Sequence, residues 1–316
     1  MAGPRAIRLD LMRATNANIS PIFAMFNDPQ HHVSNTLNYI ATTTPPAFEA
    51  TDDLGDHHRL WPIQDPAAVE TLTTSIHMST ITIADGHHRT TTALDYRAEQ
   101  RTAAGDTWDK EAAANYVLTG LIAADDPGLV ILPNHRLVTT PPPPDLVDRL
   151  AEHFDVTDLT TELPSGPEGA AALLARVRQL ADGPTTLGII DSNGPRLLLA
   201  VGSSQDALDD AMPANLSTAS KRLDALVLTE LVLDPLFNID GAALTAGAVD
   251  FTANASEAYS LTANGPYSIA FLVNGTRVQQ VIDVADAGEV MPQKTTFYYP
   301  KLATGMVFNL LDERAL

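Results

Sequence analysis

The sequence contains no cysteine among its 316 residues. Disulfide bonds, thiolate zinc sites, iron–sulfur clusters and cysteine nucleophiles are therefore all excluded. It also has no apolar run long enough to span a bilayer, and its first residues lack the apolar stretch of a signal peptide. We therefore expect no membrane partner and a cytoplasmic location.

Basic residues are scarce as well. The formal net charge is −20, with 39 Asp and Glu against 19 Lys and Arg. This balance argues against a nucleic-acid partner, because binding a phosphate backbone needs clustered Lys and Arg. All nine histidines precede residue 154, so any imidazole chemistry belongs to the N-terminal half. The four lysines are Lys110, Lys221, Lys294 and Lys301.

Three common nucleotide and hydrolase motifs are missing. The sequence has no Gly-x-x-x-x-Gly-Lys-Ser/Thr loop, no Gly-x-Gly-x-x-Gly fingerprint and no Gly-x-Ser-x-Gly elbow. P-loop NTPases, dinucleotide dehydrogenases and α/β-hydrolases are therefore poor fits. The 45% of hydrophobic residues is still enough to bury a sizeable core.

The order of predicted elements indicates a mixed α/β chain. Strands and helices alternate without a regular βαβ period, which favours an α+β (mixed α/β) architecture over a doubly wound sheet. The polyproline run Pro141–Pro144 predicts a boundary between a domain of residues 1–140 and a second α+β domain of residues 145–316. Further predictions are strands at 18–26, 187–190, 196–201 (around a turn at 191–194) and 267–273, a hairpin turn at 53–56, and helices at 65–75, 145–154, 169–181 and 220–236.

The most informative segment is Asp85-Gly86-His87-His88-Arg89. A buried strand at 80–84 leads to Asp85, Gly86 permits a sharp turn, and a helix opens at His87 or His88. Such a turn directs free backbone N–H groups at one spot, where the helix dipole favours an anion. Arg89 and the two imidazoles add donors there. Asp85 is expected to orient an imidazole, ligate Mg²⁺ or accept a proton.

A plainer interpretation makes Asp85 an N-cap and the three cationic residues a solvated first turn. Cations at a helix N-terminus oppose the dipole unless an anion compensates, so the pattern favours a phosphate-binding site. A zinc site is less consistent with the sequence, because adjacent histidines project apart and lack the (i, i+4) spacing of helical ligands.

Two further His-Arg pairs and a lysine-bearing loop are candidates for the same anion pocket. The pairs are His58-Arg59 and His135-Arg136, and the loop at 288–301 contains Lys294 as a phosphate point charge from the second domain. Alternatively, His58-Arg59 lies on a strand edge beside a core Trp61, and the loop is a surface feature held by aromatic packing.

Several motifs resemble the uncharacterised prokaryotic family DUF1015. They are Asn18-Ile-Ser-Pro-Ile-Phe23, His58-Arg-Leu-Trp-Pro-Ile63, Ile83-Ala-Asp-Gly-His-His-Arg89 with Tyr96-Arg97, and Gly288-Glu-Val-Met-Pro-Gln-Lys-Thr-Thr-Phe-Tyr-Tyr-Pro-Lys301. The resemblance runs from about Arg8 to the C-terminus. Members usually carry an extra N-terminal stretch with a Pro-Tyr-Asp-Val-like motif, which predicts that this sequence is a fragment, a mis-started frame or a trimmed variant. Thr90 stands where the family usually has an aromatic residue.

The Asp85–Arg89 turn is also similar to the phosphate-binding turn of the ParB/sulfiredoxin-like fold. Free-serine kinases of that class use Asp-Gly-His-His-Arg to hold nucleotide phosphates and act on the serine hydroxyl. The similarity implies a ParB/sulfiredoxin-like N-terminal core.

The sequence thus predicts a nucleotide-dependent phosphotransferase that acts on a small hydroxylated metabolite such as serine, with ATP or ADP and Mg²⁺ as cofactors. Gly86 and the N–H groups of His87–Arg89 would cradle phosphates, Arg89 would neutralise developing charge, and Asp85 would bind Mg²⁺ or act as base. Two alternatives stay open: a phosphatase with a histidine as nucleophile or acid, and a nucleotide-sensing module without turnover. Homo-oligomerisation is also left open.

Overall fold

A computed structural model describes residues 4–53, 55–192 and 196–311. The chain has a mixed α/β fold and divides into two compact units. Unit 1 contains residues 1–130 and 300–316, and unit 2 contains residues 131–299. The polyproline run Pro141–Pro144 lies inside unit 2, and the residues that follow 299 belong to unit 1.

Unit 1 is built on a three-stranded sheet. Its central strand Ile22–Phe26 pairs antiparallel with Ile81–Asp85 and parallel with Thr119–Ala123. The remaining strands of the unit form two small pairs: Phe48–Thr51 with His57–Leu60, and Ala17–Asn18 with Asn309–Leu310. Its longer helices are Pro4–Thr15, His32–Thr43, Pro66–His77 and His87–Ala104, and single 3-10 turns span Gly105–Thr107 and Ala113–Asn115.

Local sequence explains several of these elements. Asp65 accepts a hydrogen bond from the N–H of Ala68 at 2.9 Å and starts the helix Pro66–His77, as the Asp-Pro pair predicts. The predicted turn at 53–56 joins the two hairpin strands, although Leu54 itself lies outside the described residues. The single strand expected at 18–26 is interrupted at Ile19–Pro21, where the chain leaves one sheet and enters another.

One helix of unit 1 has no start signal in its immediate sequence. His32–Thr43 follows His31, which has a left-handed backbone (φ 53°) and makes no side-chain cap. The cap comes from Asp28, whose carboxylate accepts the N–H of Ser34 at 2.9 Å and that of Val33 at 3.4 Å. Sequence analysis did not predict this helix, because the capping residue lies several positions before its first turn.

Unit 2 contains a six-stranded sheet in the order Asp250–Thr252, His135–Val138, Ile269–Leu272, Thr186–Asp191, Arg196–Gly202, Phe154–Asp158. Every pairing in it is antiparallel. A separate pair joins Val130–Leu132 with Phe297–Tyr299. Its helical segments are Leu146–Leu150, Pro167–Gln179, Gln205–Ala211, Thr218–Lys221, Asp224–Leu228, the π-turn Thr229–Leu233, Asp234–Phe237, Gly241–Ala246, Ala255–Asn264 and Val278–Asp286.

Hydrophobic side chains cover both faces of this sheet, because strand residues alternate between two cores. Ile189 and Phe271 belong to one core, whereas Ile190 and Leu272 belong to the other.

The paired strands expected around 191–194 are present, although residues 193–195 of the turn lie outside the described residues. Two other predictions for unit 2 need adjustment. The helix predicted at 145–154 ends at Leu150, and Phe154 begins a strand in which it is fully buried. The single helix predicted at 220–236 is broken at Arg222–Leu223 and contains a π-turn.

Candidate functional site

The Asp-Gly-His-His-Arg segment has the strand–turn–helix geometry that its sequence predicts. The strand Ile81–Asp85 ends at Asp85, and the helix His87–Ala104 begins two residues later. Gly86 joins them with φ 100° and ψ 24°, a left-handed conformation that favours glycine. The first intrahelical bond is donated by the N–H of Thr90 to the carbonyl of Gly86. The N–H groups of His87, His88 and Arg89 therefore lie before the helical ladder and are available to an anion.

Gly86 is also enclosed by side chains. A Cβ atom at this position would lie 3.0 Å from Arg89 Nε and 3.1 Å from Ile22 Cγ2. Both distances are shorter than ordinary van der Waals contact, so a larger residue would displace the guanidinium. The turn thus requires glycine for its backbone angles and for the space that Arg89 occupies.

Arg89 is fixed by the loop that precedes the central strand. Its Nη1 donates to Ser20 Oγ at 2.9 Å and to the carbonyl of Pro21. Its Nη2 lies 3.5 Å from Asp85 Oδ2. Burial lowers the pKa of Arg89, an effect that the charge of Asp85 opposes and that of Arg8 reinforces. These contacts hold the guanidinium against the turn, with 22% of the side chain exposed.

A second cation reaches the same carboxylate from the end of the chain. Lys301 Nζ donates to Asp85 Oδ2 at 3.0 Å, and the N–H of Gly86 donates to Asp85 Oδ1 at 2.9 Å. Burial alone raises the pKa of Asp85. The hydrogen bond and charge of Lys301, together with Arg89 and Gly86, outweigh burial and hold the pKa below its usual value. Asp85 is therefore an anion at neutral pH and a poor proton acceptor.

The segment that carries Lys301 is anchored to unit 1 along its length. Thr304 Oγ1 donates to Ser20 Oγ at 3.3 Å, and the N–H of Gly305 donates to the carbonyl of Ile19 at 3.1 Å. Leu302 occupies the space beside Gly120, where any Cβ would collide with Leu302 Cδ1. The contacts of this segment, called the tail below, explain how Lys301 reaches the turn although it is distant from Asp85 in sequence.

His87 and His88 are exposed at the first turn of the helix. They lie on the same element as Arg89, so the turn brings together Asp85, Gly86, the two imidazoles and the guanidinium. Lys301 and Ser20 also belong to this group, although no motif in the sequence assigns them to it. The scarcity of lysine singles out Lys301 together with Lys294, but nothing local distinguishes the two.

The other predicted pocket residues of unit 1 make their contacts elsewhere. His58 Nε2 pairs with Asp52 Oδ2 at 3.0 Å, and Arg59 pairs with Glu49 at 3.5 Å. Both pairs lie within the hairpin region. The place of His58 and Arg59 in an anion pocket remains a prediction.

His135, Arg136 and Lys294 belong to unit 2. His135 is fully buried, its Nδ1 accepts the N–H of Val273 at 3.2 Å, and its pKa is lowered to about 3 by burial and by the charges of Arg136 and Arg178. Buried Arg136 donates to the carbonyls of Asn134 and Lys294.

The Lys294 ammonium and the Arg136 guanidinium each lie 5.5 Å from the centre of the Phe251 ring. His135, Arg136 and Lys294 are thus engaged in local packing, and their role in phosphate binding also stays a prediction.

A metal ion would depend on Asp85 and on the ligand. Within residues 4–53, 55–192 and 196–311, no group of three or more His, Asp or Glu side chains is placed to hold a metal. A single carboxylate fits Mg²⁺ that arrives bound to nucleotide phosphates, because Mg²⁺ commonly uses one or two carboxylates together with those phosphates.

In the described part of the chain, no helix combines the length and the apolar character needed to cross a membrane.

The fold and this turn define a mixed α/β protein with a cationic strand–turn–helix. The chain belongs to the DUF1015 family, described as "Protein of unknown function (DUF1015)", whose profile matches residues 1–225. The resemblance seen in the sequence is thereby confirmed.

Solved structures offer weak overall similarity. A conserved hypothetical protein from Pyrococcus furiosus aligns with 13% identity and a TM-score of 0.38, covering 95% of this chain and 84% of the other. A free serine kinase variant in complex with ADP aligns with 11% identity and a TM-score of 0.40, covering 93% and 79%. A free serine kinase in complex with AMP aligns with 10% identity and a TM-score of 0.39, covering 94% of this chain and 80% of the other. No curated protein matches the chain.

Proposed function

We propose that this protein is a nucleotide-dependent phosphotransferase acting on a small hydroxylated metabolite such as serine. The observation that carries the proposal is the turn at Gly86, where the free N–H groups of a helix start adjoin a fixed guanidinium and the Lys301 ammonium. This arrangement is suited to a multiply charged phosphate group, because amide donors, the helix dipole and two cations all favour negative charge.

Each residue of the turn has a separate role in this proposal. Gly86 and the N–H groups of His87, His88 and Arg89 bind phosphate oxygens. Arg89 offers its remaining N–H groups, since one nitrogen already bonds Ser20 and Pro21. Charge developing on the transferred phosphoryl group is then stabilised by donors that are in place before reaction.

The charged contacts and the lowered pKa of Asp85 support Mg²⁺ ligation over its other predicted roles, which are to orient an imidazole and to accept a proton. A carboxylate held as an anion by Lys301 and Arg89 is a weak base, but it retains the charge that a divalent cation requires. We therefore assign Asp85 to Mg²⁺, which supplies charge neutralisation at the phosphates when bound. We assign the hydroxyl proton of the substrate to the exposed imidazole of His87 or His88, which lie in the first turn of the same helix.

The reaction balances without another reactant. The hydroxyl oxygen of the metabolite forms a bond to the terminal phosphorus of the nucleotide, and the bond from that phosphorus to its bridging oxygen breaks. The hydroxyl proton passes to the imidazole, and the nucleotide leaves with one phosphate fewer.

The test is incubation of purified protein with ATP or ADP, Mg²⁺ and serine, followed by mass spectrometry of the products. We expect phosphoserine in amounts equal to the nucleotide consumed. Arg89→Ala should abolish formation, and Arg97→Ala, an exposed arginine on the same helix, should not. Phosphoserine consumed without nucleotide would favour the phosphatase, and saturable nucleotide binding without either activity would favour the sensor. Full affinity of Arg89→Ala for the phosphate-bearing ligand, whether nucleotide or phosphoserine, would refute all three.

A further inference from the structure

Unit 2 contains a cavity of about 360 Å³ at one end of its six-stranded sheet. The antiparallel pairing of Gly188 with Leu272 brings the residues that precede one strand and follow the other to this end. The lining is polar, and its side chains include Thr185, Arg222, Asp224, Asn274, Arg277 and Gln280. The volume lies within the range of small-molecule sites, roughly 300 to 1,000 Å³.

Asp224 is the buried carboxylate of this cavity, and the exposed Asp182 is a second carboxylate in its lining. Its Oδ1 accepts from Thr185 Oγ1 at 3.1 Å, and its Oδ2 accepts from Asn274 Nδ2 at 3.1 Å. Both donors are neutral, and among the residues that the structure describes the carboxylate has no ion-pair partner. Burial raises the pKa of Asp224, an effect that its hydrogen bonds with Asn274 and Thr185 and the charge of Arg277 oppose. A largely buried carboxylate whose hydrogen-bond donors are neutral is stabilised by a cationic group that enters beside it.

Two arginines supply the opposite charge. Arg277 Nη1 bonds Asp182 at 3.1 Å, and Arg222 Nη2 bonds Asp209 at 3.0 Å. Both guanidiniums line the cavity and are about half exposed. The Arg277–Asp182 pair is exposed and contributes little, so Arg277 is available to an entering anion. Arg222 is held more firmly, because its Nε and Nη2 both bond Asp209, whose side chain is only 18% exposed.

This combination of charges restricts the ligand. A pure cation, such as a polyamine, would be attracted by Asp224 but repelled by the two arginines. A pure anion, such as phosphate, would be attracted by the two arginines but repelled by Asp224. A molecule that carries one group of each sign satisfies both.

We propose that this cavity is a binding site for a small zwitterion of the α-amino-acid class. The ligand ammonium bonds Asp224, and its carboxylate bonds Arg277 at the mouth. The proposal rests on residues of unit 2 alone, and its test does not depend on phosphoryl transfer.

The experiment is isothermal titration of the full chain with the standard amino acids, one at a time. Ethylamine and acetate serve as probes that carry only one of the two charges. We expect at least one amino acid to bind with a Kd of about 1 mM or lower, and both single-charge probes to bind at least about tenfold more weakly.

Variants locate the binding. Asp224→Asn and Arg277→Gln should each weaken the amino acid by about tenfold or more. The matched controls Asp155→Asn and Arg176→Gln, at exposed positions of the same unit, should bind like the parent. Circular dichroism verifies folding, and if Asp224→Asn does not fold, the exposed Arg277→Gln carries the test. The proposal is overturned by the absence of saturable binding below about 10 mM, by equal affinity for the single-charge probes, or by unchanged affinity in the folded variants.

Discussion

The Lys301 ammonium donates a 3.0 Å hydrogen bond to the carboxylate of Asp85 across 216 positions of sequence. Both residues belong to unit 1, and the pair gives the Asp-Gly turn a cation that its own segment does not encode. The anion site therefore has two sources of positive charge: Arg89, from the motif itself, and Lys301, from the end of the chain.

Replacing Lys301 with Met should raise the pKa of Asp85 toward its ordinary value of 3.8, because the largest stabilising contact of the carboxylate is removed. A carboxyl with a depressed pKa stabilises the fold above its unfolded pKa, and this contribution is lost as pH falls through its folded pKa. The difference in melting temperature between parent and Lys301→Met should therefore shrink as pH is lowered below about 4. Carbon-13 NMR titration measures the pKa directly. Lys110→Met, at an exposed position, should leave both quantities unchanged.

Replacing Arg89 with Ala should weaken nucleotide binding by about tenfold to a hundredfold, the range expected for lost charge-assisted hydrogen bonds. Arg89→Lys should recover only part of the affinity, because an ammonium cannot bond Ser20, Pro21 and a phosphate with the same planar geometry. Fluorescence titration with a labelled nucleotide measures the change. A lysine variant with parental affinity would argue that charge alone is needed.

Replacing Gly86 with Ala should have two effects. The left-handed backbone costs about 1–2 kcal/mol of stability for an alanine, and the new Cβ displaces the Arg89 guanidinium. Gly247 is the matched control, since it has a similar φ of 92° but no atom within 4 Å of an added Cβ. Gly86→Ala and Gly247→Ala should both have a lower melting temperature than the parent, and only Gly86→Ala should lose nucleotide affinity. Equal affinity in the two variants would contradict the packing argument.

The buried His135 should make the stability of unit 2 depend on pH. Its pKa falls from 6.5 to about 3 because burial disfavours the charged ring, with Arg136 and Arg178 adding repulsion. The unfolded chain binds a proton below pH 6.5 and the folded chain does not. The free energy of unfolding should therefore decrease by about 1.4 kcal/mol per pH unit below that value.

His135→Asn should remove this dependence while keeping an acceptor for the N–H of Val273. Urea denaturation followed by circular dichroism gives the free energy of unfolding of both proteins at pH values from about 7 to about 4. The exposed His77→Asn serves as control. An unaltered pH slope in His135→Asn would show that another group dominates.

The parts of the fold that sequence predicts are those specified by adjacent residues. The Asp65 cap, the hairpin around residues 53–56 and the strand–turn–helix at Gly86 each depend on contacts within a few positions. The helix His32–Thr43 could not be predicted in this way, because its cap, Asp28, lies before the residue that immediately precedes the helix and bonds the N–H of Ser34.

The remaining part of the site could not be predicted for the same physical reason. Lys301 and Lys294 are similar in sequence context, and their environments differ only after folding. Lys301 lies on a tail fixed by Thr304 and Gly305, whereas Lys294 lies over the ring of Phe251. Tertiary pairing of this kind leaves no periodic or compositional signal that distinguishes Lys301 from Lys294 in a single sequence.

The strand Asn309–Leu310, which pairs with Ala17–Asn18, has a consequence for synthesis on the ribosome. A nascent chain exposes residues 1–130 early, but the last strand of that unit and its Lys301 are translated only after all of residues 131–299. This strand pair therefore forms only after residues 131–299 have been translated, and a shortened product ending at residue 299 would carry the Asp-Gly turn without its second cation.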